Sequence, residues 1–178
     1  LHLAYLCEHY GLPEVAAYWE SVVRINEWQT ERFFRKILAT QFNTLAGKRI
    51  AVLGFAFKPD TGDTRDSPAF PLCERLLREK AIVRIHDPKA LENARTDLKH
   101  LDGDITFCDD AYEATDGAHA IALVTQWQEY RNLEFSRILE RMERPAFLFD
   151  GRNHLDHQRL FELGFNVFPI GKSPLEHH

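Results

Sequence analysis

Six short apolar runs, separated by amphipathic stretches, occupy the chain from Lys48 onward. Runs that are apolar on both faces are typical of strands buried in a parallel sheet, and an amphipathic stretch between two runs indicates a crossover helix. The pattern predicts an α/β fold with a doubly wound, Rossmann-like sheet of six parallel strands. The predicted strands are 49–54, 82–87, 105–107, 120–125, 146–150 and 167–170, and the predicted helices are 68–80, 89–98, 110–115, 132–142 and 155–163.

The residues before this region follow a helical pattern only. Apolar side chains recur at helical spacing in a short stretch and then, beyond Pro13, along a helix of about seven turns at ~1.5 Å rise per residue. Trp19, Trp28 and Phe33 lie on or near its apolar face, which must be buried on the second half of the chain or on a second copy. We therefore predict a homodimer seam along this helix.

The predicted organisation has three parts. Residues 1–45 form a helical segment, residues 46–172 form the α/β domain, and residues 173–178 form a tail whose end resembles the start of a polyhistidine tag. Because the chain begins in mid-pattern at Leu1, we expect it to be a piece of a longer protein.

Composition and charge argue against several classes of protein. The formal net charge is −5 and Lys and Arg form no dense run, so nucleic acid is not an expected partner. No window has the length and apolarity of a membrane-spanning helix, and no signal peptide is recognisable. Cys7, Cys73 and Cys108 form no CxxC pair, which favours a reducing cytoplasm over a disulfide framework. The histidines have no common ligand spacing, so we expect no metal site.

The long loop after the first predicted strand carries the strongest functional signal. Ligands of doubly wound sheets bind at the carboxyl ends of the strands, where this loop begins. It contains neither G-x-G-x-x-G nor a P-loop, so we do not expect this loop to bind a dinucleotide in the usual Rossmann manner. Lys58 and Arg65 are cations that could meet anionic ligand groups such as diphosphates, or could pair with the loop's own acids, Asp60, Asp63 and Asp66.

Residues 54–67, GFAFKPDTGDTRDS, resemble the corresponding loop of the UDP-glucose/GDP-mannose dehydrogenase family, and the TGDTR version is most similar to the UDP-glucose enzymes. Further segments resemble the family in the same order along the chain. They are LPEVA (12–16), INEWQ (25–29), HDPK (86–89), AYEATDGAHA (111–120), TQW (125–127) and FDGRN (149–153).

The resemblance implies a parent enzyme with an amino-terminal NAD-binding domain, a long central helix and a carboxy-terminal domain that closes over the nucleotide sugar. Residues 14–41 match most of the central helix, which implies a homodimer through it. Phe57 and Lys58 match positions that contact the sugar and its diphosphate, Arg152 matches an arginine that contacts the substrate nucleotide, and Arg65 matches one that reaches NAD.

Each of these assignments has a structural alternative. Phe57 could be core packing, Arg65 could pair with a neighbouring acid, and Arg152 could pair with Asp150. Asp87 ends the second predicted strand, and without the glycine fingerprint the better interpretation is a turn or cap before the following proline.

The resemblance also implies a reaction. The family oxidises C6 of the sugar twice with NAD, through a cysteine thioester, and here the product would be UDP-glucuronate. The nucleophilic cysteine of the family lies in a segment upstream of the position matched by Leu1, so the chain alone is predicted to be inactive. Two alternatives stay open: an autonomous dimeric nucleotide-sugar-binding module, and the same enzyme class acting on GDP-mannose or UDP-N-acetylmannosamine.

Overall fold

The computed structural model of the chain describes residues 2–177. Its six strands are β1 (Arg49–Leu53), β2 (Ile82–His86), β3 (Asp104–Phe107), β4 (Ala120–Leu123), β5 (Phe147–Asp150) and β6 (Asn166–Pro169). They pair in parallel in the order β3-β2-β1-β4-β5-β6. The predicted doubly wound sheet is therefore confirmed. Strand order reverses between β1 and β4, and in such sheets the crevice at the carboxyl ends of these two strands is where ligands bind.

Eight helices accompany the sheet within the described residues. They are α1 (His2–His9), α2 (Pro13–Thr40), α3 (Ala69–Arg78), α4 (Leu91–Leu98), α5 (Ala111–Thr115), α6 (Gln128–Arg131), α7 (Phe135–Arg141) and α8 (His157–Leu163). All five predicted crossover helices are present, with ends shifted by up to three residues. The sequence did not predict α6, because four residues are too few to show a helical period.

The second half of α2 belongs to the same core as the sheet. Phe34 and Ile37 are buried together with β1, β4 and β5, and the Phe33 ring packs edge to face on Phe149 with centroids 6.3 Å apart. Arg75 of α3 forms an ion pair with Glu31 of α2. The predicted long helix is confirmed, since α2 contains 28 residues, and its second half covers one face of the sheet.

An apolar surface is exposed on α1 and on the part of α2 that ends at Trp28. Trp28 is 59% exposed and Ile25 is 61% exposed, although side chains of this size usually lie at least partly buried. We call this the α1–α2 surface. Its large exposed residues are Leu3, Tyr5, Tyr10, Leu12, Val15, Tyr18, Trp19, Ile25 and Trp28. The homodimer seam predicted for this helix stays a prediction.

The carboxy-terminal tail contacts the domain. Leu175 pairs with Val167 in an antiparallel bridge (N to O 2.8 and 2.9 Å), and the His177 ring stacks on Phe161 with centroids 4.2 Å apart. Leu1 and His178, the ends on which the predictions of a cut and of a tag rest, lie outside the described residues. None of the helices formed by residues 2–177 is long and apolar enough to span a membrane.

Candidate functional site

Gly54, which follows β1, packs closely against Thr125, which lies just beyond β4. Gly54 has φ +94°, and a Cβ at this position would lie 2.4 Å from the Cβ of Thr125. The Thr125 hydroxyl donates a 2.6 Å hydrogen bond to the Ala56 carbonyl. Only glycine fits this backbone, because other residues carry a Cβ and rarely adopt positive φ. The contact holds the start of the β1 loop at the topological switch point.

Asp87, directly after β2, ties three strand ends together. It is 2% exposed, and its two carboxylate oxygens accept hydrogen bonds from five N–H donors. The donors are the backbone N–H groups of Phe55 (2.7 Å), Ala56 (2.9 Å), Lys89 (2.9 Å) and Ala90 (2.8 Å), and the indole N–H of Trp127 (3.1 Å). The bonds to residues 89 and 90 confirm the predicted turn before Pro88. The other three hydrogen bonds were not predictable from the sequence, because their donors lie 31 to 40 residues away.

The rest of the β1 loop closes on itself and on α4. The Phe57 N–H donates to the Asp63 carbonyl at 2.8 Å, and the Thr64 hydroxyl donates to Asp97 Oδ2 of α4 at 2.6 Å. Asn93 of the same helix donates to the Gly62 carbonyl at 2.6 Å. The loop is therefore anchored at both ends, and residues 57 and 58 lie at its solvent side.

Phe57 and Lys58 are both exposed at the carboxyl edge of the sheet. The Phe57 side chain is 47% exposed, so the core-packing alternative for this residue is wrong in the chain as described. No carboxylate of residues 2–177 lies within 4.0 Å of the Lys58 amine. A cation beside an exposed aromatic ring is available to a ligand at this edge.

Arg65 forms an ion pair with Asp63, the structural alternative to a ligand contact. Its Nη2 lies 2.7 Å from Asp63 Oδ2, and its Nε donates to Asp63 Oδ1 at 2.9 Å. The hydrogen bond from Arg65 lowers the pKa of Asp63 to about 2. The Arg65 side chain is 86% exposed, and exposed pairs of this kind contribute little stability. A contact between Arg65 and NAD stays a prediction.

Arg152 lies beyond the carboxyl end of β5 and reaches back to β4. Its Nε donates to the Val124 carbonyl at 2.7 Å, and partial burial lowers the pKa of the guanidinium. Its backbone N–H donates to Asp150 Oδ1 at 3.1 Å. The alternative for Arg152, an ion pair with Asp150, is not formed among the described residues. Asp150 Oδ2 lies 2.8 Å from His157 Nε2 instead.

Asp150 orders the turn that carries Arg152. It is fully buried, and its Oδ2 accepts the backbone N–H groups of His154 (2.8 Å) and Leu155 (2.9 Å) in addition to the His157 ring. The predicted substrate residues Lys58 and Arg152 thus follow β1 and β5, two strands flanking β4 on the same edge. Thr125, Trp127 and Asp150 lie in the TQW and FDGRN segments that resemble the family. Their supporting hydrogen bonds were not predicted, because the local sequence does not show which distant groups a polar side chain contacts.

The residues present do not fit a dinucleotide held by the first crossover. The usual arrangement needs a short glycine-rich turn that leads directly into a helix N-terminus, whereas fifteen residues (54–68) separate β1 from α3. The described part of the chain also has no group of three or more His, Cys, Asp or Glu side chains able to hold a metal. No reaction step can be assigned to a group bound in this crossover.

The buried cysteines are unsuited to nucleophilic catalysis. Cys73 and Cys108 are buried, whereas Cys7 is only partly buried. Burial raises the pKa of the Cys73 thiol to about 12 and also raises that of Cys108. Since the thiolate is the nucleophilic form, both thiols are unreactive near neutral pH.

Known proteins resemble this chain over almost its whole length. UDP-glucose 6-dehydrogenase 2 of Oryza sativa subsp. japonica is 47% identical over an alignment of 195 positions, which covers 99% of this chain. UDP-glucose 6-dehydrogenase 1 of Arabidopsis thaliana is 45% identical, also across 99% of this chain. The chain spans about 40% of the length of each of these relatives.

Solved structures resemble it as well. A UDP-glucose dehydrogenase from Pyrobaculum islandicum superposes with a TM-score of 0.69 at 27% identity, over 90% of this chain and 35% of that one. A UDP-D-ManNAc dehydrogenase from Pyrococcus horikoshii superposes with a TM-score of 0.63 at 26% identity, over 90% of this chain and 34% of that one. The sequence profile of the UDP-glucose/GDP-mannose dehydrogenase family, UDP binding domain, matches residues 51–157. Both the sequence and the doubly wound sheet agree with that profile, and the chain belongs to the UDP-glucose/GDP-mannose dehydrogenase family.

Proposed function

We propose that the chain is the nucleotide-sugar-binding portion of an NAD-dependent UDP-glucose 6-dehydrogenase. The whole enzyme would convert UDP-glucose to UDP-glucuronate by two oxidations at C6 through a cysteine thioester. The observation that carries the proposal is the 47% identity to a rice UDP-glucose 6-dehydrogenase across 99% of the chain. UDP-glucuronate would serve polysaccharide biosynthesis in the cytoplasm.

Phe57, Lys58 and Arg152 are the proposed substrate contacts. The exposed Lys58 amine has no acidic partner among the described residues and would follow diphosphate or sugar oxygens. Because Arg152 Nε is held by the Val124 carbonyl, the planar guanidinium is oriented before a ligand arrives, and its terminal nitrogens can donate in pairs to an anion. The exposed ring of Phe57 would pack against the sugar.

Arg65 is the proposed contact to NAD, whose main site would lie outside this chain. NAD would supply the hydride acceptor for both oxidations. Arg65 can leave Asp63 at little cost, because the pair is exposed and exposed ion pairs contribute little stability. The exchange would give the guanidinium a diphosphate partner.

The nucleophilic cysteine is proposed to lie outside this chain. Cys73 and Cys108 have raised pKa values, and Cys7 lies on α1, which packs on α2. We therefore expect the chain alone, incubated with UDP-glucose and NAD, to produce no NADH. Production of NADH would overturn this assignment.

A second copy is the proposed partner of the α1–α2 surface. The homodimer would form through residues 14–41, where Ile25 and Trp28 are exposed. Replacing both with Ser should shift the mass measured by light scattering from dimer to monomer. A matched control is Leu163→Ser on α8, which is also partly exposed and should leave the dimer intact. A wild-type chain that is monomeric at all concentrations would refute the seam.

Calorimetric titration tests the substrate assignment. We expect UDP-glucose to bind, and Lys58→Ala and Arg152→Ala each to weaken binding by about 1.5–3 kcal/mol, the usual range for a hydrogen bond to a charged group. Lys80→Ala, at an exposed lysine on the opposite edge of the sheet, is the control and should change nothing. Equal binding by the wild type and both variants would contradict the proposed contacts.

UDP-N-acetylmannosamine is the second candidate substrate. It is favoured by the 26% identity to the Pyrococcus horikoshii dehydrogenase, which is close to the 27% for the UDP-glucose enzyme. Titrating the same protein with UDP-glucose, UDP-N-acetylmannosamine and GDP-mannose ranks the three. Tighter binding of either alternative would replace UDP-glucose in the proposal, and binding of none would favour a module without this ligand.

A further inference from the structure

Two strained residues bound the distal part of the β1 loop. Asp60 and Asp66 have φ +65° and +58°, and a residue other than glycine rarely adopts this left-handed region because its Cβ crowds the following carbonyl. A backbone of this kind persists only where surrounding contacts hold it. The contacts made by residues 61–65, between the two strained positions, therefore decide whether the loop keeps its shape.

Two side chains of α4 supply such contacts. The Thr64 hydroxyl donates to Asp97 Oδ2 at 2.6 Å, and a hydroxyl-to-carboxylate bond this short is charge-assisted and stronger than a neutral one. The Asn93 amide donates to the Gly62 carbonyl, also at 2.6 Å. Residues four positions apart lie on one face of a helix. Asn93 and Asp97, which we call the α4 clamp, thus hold both chain neighbours of Asp63.

Asp63 links the clamped segment to the solvent side of the loop. Its carbonyl accepts the Phe57 N–H at 2.8 Å, and its Oδ1 accepts Arg65 Nε at 2.9 Å. Phe57 and its neighbour Lys58 are exposed at the carboxyl edge of the sheet. A displacement of Asp63 would therefore displace the side chains that are the proposed ligand contacts.

We propose that Asn93 and Asp97 are positioning residues for the nucleotide-sugar site. Neither would touch the ligand; they would fix Asp63 and, through its bond to Phe57, the place of the Lys58 amine. A loop that is ordered in advance raises affinity, because binding need not order it. Among residues 2–177 no cationic nitrogen lies within 4.0 Å of Asp97, so an ion pair does not account for this carboxylate. The inference rests on the proposed function, since it concerns the same site.

Titration of the chain with UDP-glucose tests the clamp through its hydroxyl partner. Thr64→Val removes the hydroxyl and should weaken binding about three- to tenfold, because the binding-competent loop becomes less populated. Thr64→Ser retains a hydroxyl donor and should bind within about twofold of the wild type. The matched control is Thr96→Val, which removes a hydroxyl bonded to the Glu92 carbonyl within α4. It leaves the loop contacts in place and should change affinity by less than about twofold.

Two further measurements separate positioning from a general loss of structure. The factor by which Thr64→Val weakens binding should be retained in an Arg152→Ala background and fall below about twofold in a Lys58→Ala background, because the clamp acts through the loop that carries Lys58. Hydrogen exchange of the Phe57 amide, which is bonded to Asp63, should be faster in Thr64→Val than in the wild type or in Thr64→Ser. Thermal unfolding of each variant records any loss of global stability.

The outcomes distinguish the clamp from the proposed function. If the wild type does not bind UDP-glucose, the proposed function and the clamp role both fall. If Lys58→Ala weakens binding and Thr64→Val does not, only the clamp role falls. The clamp role also falls if Thr64→Ser is as weak as Thr64→Val, if the Thr64→Val factor is equal in the two backgrounds, or if exchange of the Phe57 amide is unchanged.

Discussion

Replacing Asp87 with Asn should strongly destabilise the fold. Asn has nearly the same shape, but one carboxylate oxygen becomes an NH2 group that cannot accept hydrogen bonds. Asp87 Oδ2 accepts three donors and Oδ1 accepts two. At least two buried N–H groups would therefore face another donor. At about 1–3 kcal/mol for each unsatisfied group, two such groups should lower the free energy of unfolding by about 2–6 kcal/mol, a large part of the total of roughly 5–15 kcal/mol.

Urea denaturation followed by circular dichroism measures this change. The matched control is Asp102→Asn, at an exposed position, which should alter the free energy by no more than about 0.5 kcal/mol. Trp127→Phe removes one of the five donors, so its cost should be smaller in the Asp87→Asn background than in the wild type, because the two residues are coupled. A loss below about 1 kcal/mol for Asp87→Asn, with an unchanged m-value, would refute the reasoning.

Three further predictions follow from backbone geometry and pKa shifts. Gly54→Ala places a Cβ 2.4 Å from the Thr125 Cβ at a backbone φ of +94°, and it should lower the free energy of unfolding, measured by heat or urea, by more than about 3 kcal/mol. The control Gly171→Ala has φ +69° and no heavy atom within 4 Å of the added Cβ, so it should lower that free energy by only about 1–2 kcal/mol through backbone strain. The hydrogen bond from Arg65 lowers the pKa of Asp63 from 3.8 to about 2. The stabilisation by this pair should therefore be present above pH 3.8 and be lost as the pH falls toward 2. An NMR titration should give a midpoint near 2 for Asp63, and Arg65→Ala should return the midpoint to the ordinary value. Burial lowers the pKa of His86 below 6.5. Because the unfolded state then binds more protons than the folded state, stability should decrease as the pH falls through 6.5. A midpoint at or above 6.5 for the His86 ring in an NMR titration would contradict this.

Much of the fold was predictable because burial on both faces leaves a local mark in the sequence. The runs around β1 and β4 are uninterrupted by polar residues since helices cover both sides of the sheet. Gly164, at φ 122°, ends α8 because it tolerates positive φ at low cost. The single turn of α6 was not predictable, since its formation depends on burying Tyr130 rather than on a repeated pattern.

The sequence by itself determined which residues stand at the sheet edge and which family their order indicates. Tertiary structure decided what those residues contact. Arg65 is paired with Asp63, Phe57 is exposed, and Arg152 is held by Val124 rather than by Asp150. The physical reason is that hydrogen bonds and ion pairs depend on distances across strands, such as the 40 residues between Asp87 and Trp127, and no periodicity along the chain records them.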